Sequence, residues 1–153
     1  MKKMNNKGFS LVELIVVVLI MAIIAVALAP QVMKWVENSR QSTDMQNFDS
    51  IYGAVSAAVV EEAVYGEIPA GGYNITFDEN GVSLDAAYTN MNTQLQQILG
   101  TNYKTELKTK SKDYKGDYII GISKDATTKV VKFSKSYPAG LPGAPASTSG
   151  STS

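Results

Sequence analysis

Residues 9–30 read FSLVELIVVVLIMAIIAVALAP, and this stretch constrains everything that follows it. From Leu14 to Ala29 there are sixteen consecutive apolar residues. Counted from Phe9 to Ala29 the span is twenty-one residues, with only Ser10 and Glu13 polar. As a helix it is about 31 Å long, which matches a bilayer hydrocarbon core of roughly 30 Å. The single carboxylate, Glu13, costs several kcal/mol of desolvation there unless something pairs with it. An α-amino group made by cutting between Gly8 and Phe9 is one such partner. Upstream stands MKKMNNKG, whose Lys2, Lys3 and Lys7 favour a cytoplasmic N-terminal side.

Three readings compete for this segment. A secretory signal peptide finds an A-x-A site in Ala27-Leu28-Ala29, but Pro30 follows directly and Glu13 interrupts the apolar region. A plain signal-anchor, making the chain a surface binding module, explains length and orientation and leaves Glu13 without a role. The third reading is a resemblance: residues 1–30 look like the signal of type IV pilins and pseudopilins. Gly8 resembles the residue before the prepilin peptidase cut, and Phe9 the new N-terminus that this family N-methylates. Leu11, Val12, Glu13 and Leu14 match the core of the motif, with Ser10 where Thr is more usual. Pro30 falls at the family's helix-bending proline.

The resemblance implies an α+β pilin fold, with a long N-terminal helix packed on a small antiparallel sheet. It implies a leader, 1–8, removed by a prepilin peptidase and methyltransferase. A transmembrane and assembly helix, 9–30, then sits in the lipid bilayer before an inner-membrane platform and its ATPase add the subunit to a filament. Partners are identical or related pilin subunits, and the destination is a surface pilus. Adhesion, motility or biofilm formation is the expected role of a major pilin; a minor pilin or a pseudopilus subunit is the alternative. Assembly is expected to rest on Leu11, Val12, Glu13, Leu14 and Pro30, with Glu13 selecting register by charge pairing.

Composition narrows the rest. Formal net charge is zero, and removal of residues 1–8 leaves 11 basic against 14 acidic side chains. That balance leaves no basic patch large enough to suggest nucleic-acid binding. There is no histidine and no cysteine, which removes the commonest catalytic base and metal ligand and any disulfide. The lack of cysteine resembles pilins of Gram-positive type. No catalytic, cofactor or metal site is expected. Gly71-Gly72 and Gly116/Gly121 lack phosphate-loop spacing, and Asp78, Glu79, Asn80 and Asp85 lack that of a calcium loop.

Pro30 has no N–H and is expected to bend or locally melt the helix near Val26. Beyond it, Met45, Phe48, Tyr52, Val55, Val59 and Ala63 recur at three- and four-residue steps and predict an amphipathic half, 31–66, ended by Gly66 and Pro69. Trp35 suits a membrane interface or inter-helix packing equally. A head, 67–137, is predicted to hold a hairpin over Tyr73–Phe77 and Val82–Leu84 and a helix over Asp85–Leu99. A strand is predicted over Tyr103–Leu107, and a hairpin joins Tyr118–Ile122 to Lys129–Phe133. Lys124, Lys129, Lys132 and Lys135 are expected on the outer face and edges of this sheet. The tail, 138–153, is rich in Pro, Gly, Ser and Thr and reads as flexible, with almost nothing to bury.

Overall fold

The computed structural model describes residues 8–114 and 116–145, together with the backbone of 149–151. The leader therefore lies outside the described residues, apart from Gly8. Contacts divide the chain after Asn38 into an N-terminal unit and a head. One helix, α1 (Leu11–Ala58), contributes to both. In the head it is followed by α2 (Glu62–Glu67), β1 (Tyr73–Phe77), β2 (Val82–Ser83), α3 (Thr89–Leu99), α4 (Tyr103–Glu106), β3 (Tyr118–Lys124), β4 (Val131–Ser136) and β5 (Ser149–Ser151). The layout is α+β.

The strands form one antiparallel sheet in the order β2-β1-β3-β4-β5. Alternation decides its faces. Ile75 and Phe77, then Tyr118, Ile120 and Ile122, then Val131 and Phe133 point into the core, and Thr76, Ser134 and Ser136 are among those pointing out. Register places Ile75 opposite Ile120 and Ile122 opposite Phe133. The head's part of α1 packs against this inner face. Phe48 meets Tyr118 at 5.1 Å between ring centroids, and Tyr52 meets Phe133 at 5.9 Å. Burial pushes the Tyr118 phenol up to about 12, with Asp44 and Tyr137 adding to the effect, and pushes Tyr103 up to about 12 as well.

Several expectations shift. The helix continues unbroken through Pro30, so the melting expected near Val26 does not occur. The buried stripe on α1 is Gln41, Asp44, Phe48, Ile51, Val55 and Ala58, in alternating steps of three and four. Met45 and Tyr52, assigned to that stripe by sequence, lie at its margin and are half-buried. Ala63 is exposed because α1 ends at Ala58: Val60 and Glu61 donate to the carbonyls of Ala57 and Ala58, a tightened turn that re-aims the chain into α2.

Tyr103–Leu107 was expected to be a strand and begins as α4 instead. Leu107 N–H donates to the Tyr103 carbonyl, and only Tyr103 and Leu107 of the three alternating residues turn inward. Those two are four apart, a helical spacing that the alternation concealed. The helix expected from Asp85 starts at Thr89, because Asp85 closes a turn on Ala87 and Tyr88. Two of the four lysines expected outside belong to the inner-facing rows. Lys124 reaches the Tyr65 carbonyl at 3.2 Å, and Lys135 pairs with Asp49 at 2.7 Å while lying over the Tyr52 ring. Lys129 precedes β4 with φ 62°, a left-handed residue that keeps the strand from starting there.

The tail also does more than expected. Leu141 is 6% exposed and joins the core, and Ser149–Ser151 pairs with Lys132–Ser134 as the sheet's edge strand.

Candidate functional site

Gly8 and Phe9 precede the helix in non-helical backbone, and both are exposed. Ser10 then starts α1. Its carbonyl accepts the first helical bond, from Leu14 N–H at 3.2 Å. Its hydroxyl accepts from Val12 N–H at 3.4 Å, and its own N–H donates to Glu13 Oε2 at 2.9 Å. Serine before the first turn and glutamate three residues later form a variant of the capping box, in which the glutamate bonds the serine N–H and the serine hydroxyl takes the second N–H of the turn in place of the third. The acid also lies where the helix dipole favours negative charge. Sequence reading singled out Glu13 for its isolation and treated Ser10 as a minor departure from Thr. The spacing Ser10-x-x-Glu13 itself signals a cap, and that signal was missed.

The structure thus brings Gly8, Phe9, Ser10 and Glu13 together at one helix start, with Leu11, Val12 and Leu14 in its first turn. Pro30 is not part of this cluster; it lies seventeen residues beyond Glu13, about 25 Å along α1. Around the cluster the helix is bare. Fifteen large apolar side chains between Phe9 and Leu28 are exposed, from 43% at Val17 to 87% at Phe9. Covering them is worth on the order of 20 kcal/mol even after allowing for partial exposure. That exceeds several-fold the roughly 3 kcal/mol that one acid costs on membrane-insertion scales, so an apolar environment for the segment is favoured even with Glu13 aboard. Among the described residues, α1 alone is long and apolar enough to cross a membrane. Trp35 is exposed on the same unit.

Among the described residues of the head, four carboxylates that could serve a site are instead engaged by backbone N–H groups. Asp78, considered above as a cation ligand, spends Oδ1 on the N–H groups of Asn80 and Gly81 at 2.7 and 3.1 Å, closing the β1–β2 turn. Asp125 does the same for Thr127 and Thr128, both at 2.9 Å, and these bonds hold its carboxyl down at about 2. Asp44 is fully buried and accepts from Lys110 and Ser111 N–H groups at 2.8–2.9 Å, fixing a loop with no regular structure to α1. Glu67 accepts from Asn90 and Met91 N–H at 2.8 and 3.1 Å, capping α3 from a distant element. Each of these carboxylates serves the fold.

Residues 3–29 match the family model described as the prokaryotic N-terminal methylation motif, the type IV prepilin signal. No curated protein and no solved structure matches the chain.

Proposed function

From the type IV prepilin signal carried by residues 3–29, which supports a pilin-like or pseudopilin subunit, we propose that the chain is a structural subunit of a type IV pilus, its major pilin. A prepilin peptidase cuts between Gly8 and Phe9 and the new N-terminus is methylated. The mature helix waits in the bilayer until the assembly platform and its ATPase move it into a filament. There, Leu11 to Ala29 bury against the same stretch of neighbouring subunits. Adhesion, motility or biofilm formation follows from a long surface fibre. The chain itself catalyses nothing.

The observation that carries this reading is the exposed apolar segment of α1 headed by the Ser10–Glu13 cap. Before the cut, Glu13 is neutralised in part by the Ser10 N–H and the helix start. After it, a free ammonium at Phe9 stands one residue from the group that Glu13 already contacts. The carboxylate reaches its own terminus or a staggered neighbour's with little rearrangement. Pairing there adds little net stability but penalises every register that leaves the acid alone. Loss of Lys2, Lys3 and Lys7 removes the charges that hold the end at the cytoplasmic face.

The test is intact mass with N-terminal peptide mapping of the chain in a sheared cell-surface fraction. A chain beginning at Phe9 and heavier by about 14 Da, one methyl replacing a hydrogen, is the expected result. A chain beginning at Met1 or Pro30 overturns it. Abundance in long fibres separates a major pilin from a minor or pseudopilin subunit.

A further inference from the structure

The head carries exposed charge of opposite sign at two separated places. In the loop after α4 exposure alternates, with Lys108 and Lys110 exposed and Leu107, Thr109 and Ser111 half-buried. This ridge is fixed rather than loose: Thr109 N–H donates to the Asp78 carbonyl at 2.9 Å, and the next two N–H groups go to Asp44. At the far end of α1, Glu61 and Glu62 are exposed beside Val60, which at 87% exposure stands as bare as Phe9. Among the described residues none of these four charged side chains has an ion-pair partner within the chain. The lysine ridge is anchored at Asp44 and the glutamates follow Ala58, fourteen residues on, or about 21 Å along the helix.

We infer that these two patches are the two halves of a contact between heads: Lys108 and Lys110 of one subunit meet Glu61 and Glu62 of a second copy, with Val60 packed at the centre. Between parallel copies shifted along a fibre, as the filament reading requires, two different, complementary patches make a heterologous contact, and such a contact propagates. Among parallel copies the pairing also selects a stagger, since a level parallel arrangement opposes like charges. This inference rests on the filament reading above and adds to it a second specificity element, outside the apolar segment.

A charge exchange in the full chain tests it, in cells whose only copy is the variant. Filament yield in the sheared fraction is normalised to the membrane pool, and the N-terminus is mapped in parallel. Lys108→Glu with Lys110→Glu is expected to lower yield roughly tenfold, as is Glu61→Lys with Glu62→Lys. Combining all four is expected to bring yield back to within about threefold of wild type. Lys108→Gln with Lys110→Gln, which removes charge without reversing it, is expected to fall between, and it supplies the reading if a reversal variant fails to accumulate. Undiminished yield from either reversal overturns the inference, and so does a fourfold variant no better than the worse parent. A wild-type chain that begins at Met1 or forms no filament sinks the underlying pilus reading instead, so the two failures are distinguishable.

Discussion

The two parts of α1 on either side of Asn38 are built by opposite rules. Before it, apolar residues cover every side of the helix, and among the described side chains only Glu37, at the boundary, is buried. After Ser39, a single stripe is buried, and its first members are Gln41 and Asp44 rather than hydrophobic residues. A helix apolar all round cannot be satisfied by one sheet and needs partners on all sides, whereas a helix with one stripe is complete once a sheet covers it. The same continuous backbone therefore holds one segment finished within the chain and one finished only by membrane or by other subunits.

The sharpest way to break this contrast is a pair of truncations. Phe48→Ala removes a ring with no exposed surface that contacts Tyr118 and Tyr137, and it is expected to cost the head about 3–5 kcal/mol. Ile20→Ala removes a side chain that the monomer leaves half exposed, and it is expected to change head stability by less than about 0.5 kcal/mol. Near-ultraviolet circular dichroism of the detergent-solubilised full chain, followed through thermal unfolding, reports the head's packed tyrosines without the helix signal of the apolar segment. A comparable loss from both variants would mean that the apolar segment is part of the head's own core.

Asp44 sharpens the contrast from within the stripe. Asp44→Ala leaves the N–H groups of Lys110 and Ser111 without their acceptor at a buried site, and a loss of about 3 kcal/mol is expected. Asp44→Asn keeps one acceptor oxygen but turns an amide towards a donor, so its loss is expected to be smaller yet still above about 1 kcal/mol. Amide hydrogen exchange at Lys110 and Ser111 checks the cause, since protection there is expected to vanish in the alanine variant before the sheet opens. If both variants matched wild type, the loop would be held by its other contacts, and the polar start of the stripe would be incidental.

Legibility follows the same division. The apolar segment was readable because composition alone defines it, and Glu13 because it stands isolated within it. The α+β layout and the two hairpins were readable because alternation and turn residues are local signals. The phase of the buried stripe was not, since a search for apolar spacing passes over Gln41 and Asp44 and counts Met45 and Tyr52 in their place. Asp44's partners lie 66 residues away, and no local pattern announces them. Leu141 has no periodic neighbours in a Pro/Gly/Ser tail, so no local pattern announces its burial. Ser10 is different in kind: its cap is written in four consecutive residues, Ser10 to Glu13, and is a local signal that the isolation of the acid masks.

The smallest effect concerns that cap, and it separates the capping role of Glu13 from the register role proposed for it. Ser10→Ala removes the hydroxyl that accepts from Val12 N–H but leaves the carboxylate on the Ser10 N–H. Cap removal of this kind costs about 1 kcal/mol, and at a frayed helix end the loss stays local. Amide exchange at Val12 in the detergent-solubilised precursor is expected to quicken roughly fivefold, with head stability and filament yield unchanged. Glu13→Ala is expected to produce the same local fraying and, in addition, to abolish ordered fibres when no wild-type subunit is present. The difference between the two variants isolates what the carboxylate contributes beyond the cap under the proposed cleavage at Phe9. If Ser10→Ala lowered filament yield as far as Glu13→Ala, the acid's contribution would be that of a cap and the register role would fall.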